Sequence, residues 1–256
     1  MTSNKPKIVA IIPARYASTR FPGKPLALIA GKPMIQHVYE RVARAGKIDE
    51  VYVATDDSRI VEAVEEFGGK SIMTSSKLKS GTDRCAAAAR KVGAEIVVNV
   101  QGDEPVISPK TIDAAVSVLK SSRASLMSTA AVPIDDPAIL FSENAVKVVI
   151  DKTGRALYFT RSTIPFLRGV SSDNYLESFG FLKHLGIYVY RNSFLQKLKK
   201  MRETPLERAE KLEQLRVLEN GYSIQVAVVE GDTISVDVPS DIDAVETYLA
   251  KLNLKK

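Results

Sequence analysis

The sequence has no tryptophan, one cysteine and two histidines among its 256 residues. The single cysteine, Cys85, excludes a disulfide within the chain, and two histidines do not favour a metal site built from histidine. No run of about 18 apolar residues is present, so no membrane-spanning helix is predicted. The opening segment, MTSNKPK, lacks the apolar core of a signal peptide, and the expected location is therefore the cytoplasm.

The sequence also lacks any run of five or more basic residues, although its formal net charge is +6. The cations are spread among acidic residues, which favours a site for an anionic small molecule over a nucleic-acid partner. Hydrophobic residues make up 45% and charged residues 26% of the chain. These values are typical of a globular protein with a sizeable core.

A basic loop follows the first apolar run. Ile8–Ile12 has the composition of a buried strand, and the segment after it carries Arg15, Arg20 and Lys24. Arginine forks and a lysine point charge suit a polyphosphate. The segment is neither a Walker A loop, because Pro25 stands where Ser or Thr would bind magnesium, nor a Rossmann glycine triplet. From charge alone, a solvated surface loop is an equally good interpretation.

Strand and helix patterns alternate through the first half of the chain. They predict an α/β fold with a doubly wound, mostly parallel, Rossmann-like sheet. In such sheets, ligands bind beyond the carboxyl ends of the strands, where Arg15, Gln101 and Asp103 fall. From about Ser125 the strands read as antiparallel. We expect one domain over residues 1–256 that includes a smaller antiparallel β lobe over about 125–200.

Four further predictions concern individual elements. Ser58 is expected to cap a helix that runs to about Phe67. Thr204–Glu207 fits a capping box that opens one continuous helix to about Glu219. The buried face of that helix would consist of Leu206, Ala209, Leu212 and Leu215. Ile234–Val238 is expected to return to the sheet as a strand.

Two aspartates are candidates for metal binding. Asp103 follows an apolar strand through a glycine turn, and Asp237 lies near the end of the predicted strand Ile234–Val238. Magnesium prefers oxygen ligands and usually takes one or two carboxylates together with water and phosphate oxygens. The alternative is that each aspartate serves only a turn or a cap, an interpretation that weakens when the basic loop is considered with them.

Five segments closely resemble the 3-deoxy-manno-octulosonate cytidylyltransferases, a family also called CMP-Kdo synthetase. They are IPARYASTRFPGKPL (Ile12–Leu26), SGTDR (Ser80–Arg84), VNVQGDEP (Val98–Pro105), HLGIYVYR (His184–Arg191) and LEQLRVLENG (Leu212–Gly221). The resemblance extends from Lys7 to about Tyr248, and RYASTR favours the Kdo branch over the sibling neuraminate cytidylyltransferases. Phe21 departs from the usual leucine.

The resemblance implies a fold of the nucleotide-diphospho-sugar transferase type and a nucleotidyltransferase activity. CTP and Kdo would give CMP-Kdo and diphosphate for lipopolysaccharide biosynthesis. The anomeric hydroxyl of Kdo would attack the α-phosphate without a covalent enzyme intermediate. The family also implies a homodimer formed through strands of the antiparallel lobe.

The resemblance assigns roles to the basic loop and the acidic pair. Arg15 and Lys24 would hold the triphosphate with help from Arg20, and their charge would offset the charge that develops on the phosphates. Asp103 and Asp237 would hold Mg²⁺, which would orient the α-phosphate and the attacking hydroxyl. No dedicated general base stands out among the candidate residues.

The nucleotide base and the sugar acid have their own candidates. Ser80 and Arg84, with the backbone near Ala14, would read cytosine, unless Ser80 and Arg84 merely start a helix. Gln101 would bind either nucleotide or sugar. For Kdo the family points to Arg161, His184, Tyr188, Glu213 and Gln214. Arg161 would meet the carboxylate, and strand alternation places His184 and Tyr188 on one face; without the resemblance, these two read as packing residues.

Two alternatives remain open at this level. The same chemistry would serve another sugar acid, such as 8-amino-Kdo or a nonulosonate. A non-catalytic protein that binds nucleotide or RNA would reuse the fold, but binding alone does not need the pair Asp103 and Asp237.

Overall fold

The structure is a computed structural model that describes residues 7–17, 21–231 and 233–253. Arg20 lies outside the described residues. The strands are β1 (Ile8–Ala14), β2 (Leu28–Ile29), β3 (Lys32–Pro33), β4 (Glu50–Thr55), β5 (Ser71–Met73), β6 (Ile96–Val100), β7 (Met127–Pro133), β8 (Lys147–Ile150), β9 (Ala156–Thr160), β10 (Leu182–Arg191) and β11 (Ile224–Val228).

Helices connect most of these strands. They are α1 (Met34–Ala43), α2 (Ser58–Glu66), α3 (Gly81–Val92), α4 (Pro109–Ser121), α5 (Pro137–Phe141), α6 (Tyr175–Ser178), α7 (Asn192–Leu198), α8 (Pro205–Glu210), α9 (Gln214–Glu219) and α10 (Asp241–Asn253). Short 3₁₀ turns lie at Lys24–Leu26 and Ser172–Asn174. No helix in the described part of the chain is long and apolar enough to cross a membrane.

The chain forms two compact units. Unit 1 comprises the described residues within 1–113, 191–199 and 233–256, and unit 2 those within 114–190 and 200–232.

Unit 1 is built on a parallel sheet in the order β6-β1-β4-β5. The chain runs from β1 outward to β4 and β5 and then reverses to place β6 on the other side of β1. That reversal makes the carboxyl ends of β1 and β6 a topological switch point, where ligands bind in open α/β sheets. Both strands are almost wholly buried, as expected for apolar strands covered on two faces.

Unit 2 contains a mixed sheet. β7 pairs with β11 in parallel and with β10 in antiparallel orientation, while β8 pairs with both β10 and β9 in antiparallel orientation. The β7–β10 register shifts between Leu185 and Tyr188. The shift adds two residues to β10, so the alternation of side chains is preserved.

The predicted α/β class with a mostly parallel sheet is confirmed.

Two predictions about helices were wrong. Asp57, not Ser58, caps α2, since its carboxylate accepts the amide proton of Arg59. The segment predicted to form one helix from Thr204 to Glu219 forms α8 and α9, because Lys211 adopts a left-handed conformation with φ of 56°. The capping box of α8 is present as predicted, with Thr204 as the cap and Glu207 at its third position.

The break changes which side chains of this segment are buried. The predicted buried face is confirmed for Leu212 and Leu215 and wrong for Leu206 and Ala209, which are exposed. Glu207 is buried in an ion pair with Arg216 that joins α8 to α9. A buried carboxylate is tolerated only when it is paired, so the ion pair, not an apolar stripe, determines which face of α8 turns inward.

Ile234–Val238 is not a strand. The backbone of Val236 is used elsewhere: its N–H donates to the carbonyl of Asp103, and its carbonyl accepts from Lys24 Nζ. Its side chain is fully buried in a cluster of unit 1 with Ile29, Met34, Val106 and Val245. The apolar pattern therefore anchors a loop instead of forming a ladder.

Candidate functional site

The loops after β1 and β6 approach each other closely at the switch point of unit 1. A Cβ on Gly102 would lie 2.9 Å from the carbonyl oxygen of Pro13, and one on Gly81 would lie 3.3 Å from the Pro13 ring. Only a residue without a side chain fits against a backbone carbonyl at that distance. Gly102 therefore allows the loop that carries Gln101 and Asp103 to pack against the end of β1.

Lys24 lies at the centre of an acidic cluster that we call the Lys24 cluster: Lys24, Asp103, Val236 and Asp237. Its Nζ donates to Asp103 Oδ2 over 2.7 Å and to the carbonyl of Val236 over 2.8 Å, and lies 3.9 Å from Asp237 Oδ1. The exposed fractions of the Lys24, Asp103 and Asp237 side chains are 16%, 30% and 50%. Two segments far apart in sequence, one at Asp103 and one at Val236 and Asp237, thus meet around the Lys24 ammonium group.

Asp237 is held by its neighbours at the start of α10. The Asp241 carboxylate accepts the amide protons of Asp237 and Val238 over 2.7 and 2.9 Å. The bond from Val236 N to the Asp103 carbonyl joins this segment to the loop after β6. Sequence reasoning missed Asp241. Its position four residues after Asp237, at a helix start, is the signal that indicates such a cap.

The donor set of the Lys24 cluster fits a hard divalent cation. Two carboxylates already share one cationic partner, so the position favours positive charge, and magnesium commonly takes one or two carboxylates. Within the described ranges, no group of three or more His, Cys, Asp or Glu side chains is placed to hold a metal ion. Asp103 and Asp237 are therefore suited to an ion whose other ligands come from water or substrate oxygens.

The other predicted nucleotide residues among the described ones lie in unit 1 as well. Ala14 ends β1 and is buried, and the guanidinium of Arg15 donates to the carbonyl of Leu78. Gln101 donates to Asn99 Oδ1 over 3.3 Å. The basic loop is closed by a bond from Gly23 N to the Tyr16 carbonyl. This hydrogen bond therefore holds the two ends of the basic loop together.

Tyr16 also carries a cation on its ring. The Arg59 guanidinium lies 3.3 Å from the ring centroid, and Asp57 binds that guanidinium through both carboxylate oxygens at 2.9 and 2.7 Å. Sequence reasoning missed this contact, because nothing in the pattern of α2 distinguishes Arg59 from a solvated helix charge.

Ser80 and Arg84 have structural partners of their own. Ser80 caps α3, with its hydroxyl accepting the amide proton of Asp83 over 3.1 Å. Arg84 is fully buried, donates to Thr74 Oγ1 and lies 3.0 Å from Asp56 Oδ2. Both residues start the helix, as one of the two interpretations held, and their role in reading cytosine stays a prediction.

In unit 2, the predicted sugar-binding residues of β10 lie together. The rings of His184 and Tyr188 are 5.4 Å apart, which confirms that they share one face. The Tyr188 hydroxyl donates to Gln214 Oε1 over 3.3 Å. Gln214 is buried, and its Nε2 has no hydrogen-bond partner among the described residues. A buried donor without a partner is costly, so this amide is poised for a ligand oxygen.

His184 is held as a neutral ring in one tautomer. Its Nε2 lies 2.9 Å from the hydroxyl of Thr129, which donates its only proton to the carbonyl of Ile187 over 2.6 Å. The network therefore assigns the imidazole proton to Nε2 and leaves Nδ1 as an acceptor. Burial lowers the pKa of His184 to about 3, so the ring is neutral at pH 7. Sequence reasoning missed Thr129, one of many β-branched strand residues.

Arg161 follows β9 and is held by unit 2 on several sides. Its Nε donates to the carbonyl of Glu210 over 2.9 Å and its Nη1 to the carbonyl of Glu143 over 3.0 Å. Glu213 is exposed at the start of α9, next to Gln214. Arg161, Glu213 and Gln214 therefore lie in unit 2 with His184 and Tyr188, while their roles stay predictions.

The sequence and the structure are both similar to known cytidylyltransferases. A family profile described as cytidylyltransferase matches residues 9–225. The 3-deoxy-manno-octulosonate cytidylyltransferase of Geobacter metallireducens is 53% identical over 253 residues, covering 97% of this chain and all of that protein. The protein of the same name from Geobacter sulfurreducens is 54% identical and covers 93% of this chain and 97% of its own.

A solved structure agrees with these relatives. The structure of CMP:2-keto-3-deoxy-manno-octonic acid synthetase complexed with CTP is 43% identical to this chain and superposes with a TM-score of 0.89. The superposition covers 96% of this chain and 99% of that one.

Proposed function

The chain belongs to the 3-deoxy-manno-octulosonate cytidylyltransferase family, and we propose that it transfers the cytidylyl group of CTP to 3-deoxy-manno-octulosonate (Kdo). The anomeric hydroxyl oxygen of Kdo forms a bond to the α-phosphorus, the bond from that phosphorus to the diphosphate oxygen breaks with its electron pair on diphosphate, and the hydroxyl proton passes to water. The observation that carries the proposal is the Lys24 cluster, which brings a lysine and two carboxylates together at the switch point of unit 1.

The residues of unit 1 would handle CTP. Lys24 and Arg15 bind the triphosphate, and the positive charge of both side chains stabilises the charge that grows on the leaving diphosphate. Within the described part of the chain, Lys24 donates to Asp103 and to the carbonyl of Val236, and an ammonium group has three donors, so one remains for a phosphate oxygen. When bound at Asp103 and Asp237, Mg²⁺ would supply charge neutralisation between the two anionic substrates. Gln101, Ser80, Arg84 and the Ala14 backbone remain the candidates for the nucleoside.

The residues of unit 2 would hold the sugar acid. Arg161 presents a guanidinium that suits a carboxylate. Neutral His184 accepts at Nδ1, and the unpaired amide of Gln214 donates, which suits sugar hydroxyls because each hydroxyl both donates and accepts. Tyr188 and Glu213 complete the set.

Three finer points belong to the same proposal and rest on the family resemblance: the enzyme uses Mg²⁺, forms a homodimer and supplies lipopolysaccharide biosynthesis. The cytoplasmic location expected from the sequence is also part of the proposal.

Diphosphate release tests the proposal directly. Purified protein is given CTP and Mg²⁺ with Kdo, 8-amino-Kdo or neuraminate, and UTP replaces CTP as the control. We expect rapid release with CTP and Kdo and little with UTP. Release with another acid but not with Kdo would transfer the proposal to that acid. Nucleotide binding without release under any condition would support a non-catalytic protein.

A further inference from the structure

The backbone of Arg161 is bound by charged side chains of opposite sign. Lys147 Nζ donates to the carbonyl of Arg161, and the Glu210 carboxylate accepts the Arg161 amide proton at Oε2 over 3.0 Å. The other oxygen of Glu210 accepts from the Thr160 hydroxyl over 2.6 Å. Charge-assisted hydrogen bonds are stronger and shorter than neutral ones. The backbone N–H and carbonyl of Arg161 are therefore fixed more firmly than those of an ordinary loop residue.

Lys147 is fully buried, and all three of its ammonium protons are used. Besides Arg161, its Nζ donates to the carbonyls of Ser142 and Ala145 over 2.7 and 2.6 Å. Burial and the nearby Arg161 lower the pKa of Lys147. An ammonium group has three donors, so none remains for a substrate. Lys147 is therefore placed to organise its surroundings and not to bind a ligand.

The carbonyls around Lys147 belong to the segment that also holds the Arg161 guanidinium. Glu143, whose carbonyl accepts from Arg161 Nη1, lies between Ser142 and Ala145. Glu210 acts on the other side, because its own backbone carbonyl accepts from Arg161 Nε. Among the described residues, no hydrogen bond reaches Arg161 Nη2. The guanidinium is thus fixed at Nε and Nη1 and keeps donors for a ligand.

We propose that Lys147 and Glu210 are positioning residues for the sugar-acid site, acting through the orientation of Arg161. The proposal rests on the function proposed above, in which Arg161 receives the Kdo carboxylate. Neither residue contacts the substrate. Their contribution is to hold a donor in the productive direction, and a displacement of about 1 Å can cost about 100-fold in rate.

A double-mutant cycle tests the inference. Arg161→Ala should lower kcat/KM for Kdo about 100-fold, as loss of one partner of a charge pair does. Lys147→Met keeps the side-chain stem and removes the donors. It should lower kcat/KM for Kdo about tenfold through a higher KM for Kdo, with KM for CTP unchanged. In the Arg161→Ala background, Lys147→Met should add less than about threefold, because coupled residues are not additive.

Glu210→Gln provides a second variant, in case Lys147→Met does not fold. Glu210 is only partly buried, and glutamine keeps an acceptor for the Arg161 amide. It should raise KM for Kdo about threefold and show the same loss of additivity. Ser128→Ala is the matched structural control in unit 2, since it removes a buried hydrogen bond to the Ala115 carbonyl. It should leave both KM values unchanged.

The outcomes separate the two proposals. Full additivity with Arg161→Ala, an equal rise in KM for CTP, or the same rise in Ser128→Ala would overturn the positioning role. So would an unchanged kcat/KM for Kdo in Arg161→Ala, because there would be nothing to position. If the wild-type protein releases no diphosphate with CTP and Kdo, the proposed function itself fails before any variant is measured.

Discussion

Lys24 of unit 1 and Arg161 of unit 2, the cations proposed to meet the phosphate and the carboxylate, are held in different ways. In unit 1, the Lys24 ammonium bonds to Asp103 and lies near Asp237, so it is matched by side chains of opposite charge. In unit 2, the Arg161 guanidinium is fixed by the neutral carbonyls of Glu143 and Glu210. Carbonyl oxygens accept hydrogen bonds and leave the positive charge of the side chain in place. Carboxylates accept hydrogen bonds and also neutralise that charge.

The difference has a consequence for ligand binding. In the proposed function, the negative charge of Asp103 and Asp237 opposes the approach of a phosphate to Lys24, and a cation bound by the two carboxylates would reduce that opposition. Among the residues that the structure describes, no carboxylate is bonded to the Arg161 guanidinium, so its carbonyl anchors leave its charge available to an anion. We therefore expect ligand binding in unit 1 to depend on the balance of charge among Lys24, Asp103 and Asp237. We expect ligand binding in unit 2 to depend on the orientation of the Arg161 guanidinium.

The largest effect is expected from Asp103→Asn. The substitution keeps the shape of the side chain and removes the charge shared with Lys24 and the carboxylate available to a metal. We expect kcat to fall by about 10²–10³, the range for loss of one preorganised electrostatic contact. Steady-state diphosphate release measures it. Asp49→Asn, in a carboxylate that accepts from Lys7 N and Ile8 N, is the control and should retain nearly full kcat.

A wild-type rate in Asp103→Asn would contradict the contrast drawn between Lys24 and Arg161. It would mean that the charge balance of the Lys24 cluster is structural and that catalysis in unit 1 depends on other groups.

A smaller effect is expected from Gly102→Ala. The added Cβ would meet the Pro13 carbonyl oxygen at 2.9 Å, so the loop that carries Asp103 must move. We expect a loss of about 1–3 kcal/mol in the free energy of unfolding, as for other overpacked sites, and a decrease in kcat of about tenfold. Urea denaturation and the kinetic assay measure the two effects.

Gly46→Ala is the matched control for Gly102→Ala. Its Cβ would lie 3.5 Å from Asp113 Oδ2, an ordinary contact. If Gly102→Ala behaves like Gly46→Ala, then close approach of the two loops does not determine the position of Asp103.

The residues of unit 1 were the easier ones to predict from sequence. Arg15, Gln101 and Asp103 directly follow apolar strands, and the ends of parallel strands meet at one edge of a sheet. The position of Asp237 was not predictable from its supposed strand. It depends on Val236, whose backbone binds the Asp103 carbonyl and Lys24. Such a contact between distant loops leaves no periodic signal in the sequence.

In unit 2, the alternation of β10 placed His184 and Tyr188 on one face, and the structure confirms it. The supports of Arg161 could not be predicted. Lys147 and Glu210 look like ordinary strand and helix charges, and their importance arises only from the carbonyls and amides that folding brings to them. The helix break at Lys211 was missed for a related reason, since a lysine rarely adopts a positive φ.

The smallest effect concerns the neutral ring in unit 2 and its dependence on pH. Burial lowers the pKa of His184 to about 3, while an unfolded histidine has a pKa of about 6.5. Below that value the unfolded chain binds a proton that the folded chain does not, so the free energy of unfolding falls as the pH falls. Between pH 7.5 and 6.0 this contributes a loss of about 0.8 kcal/mol. His184→Gln should remove that part of the slope.

Urea denaturation at the two pH values measures this slope, and the difference between variants cancels the contribution of all other groups. Tyr188→Phe is the control: it alters a ring beside His184 without removing a group that titrates in this range, and should keep the wild-type slope. An identical slope in His184→Gln would show that the folded protein binds the proton in the same pH range as the unfolded chain. Burial would then not keep the ring neutral, and its role as a fixed neutral acceptor would fail.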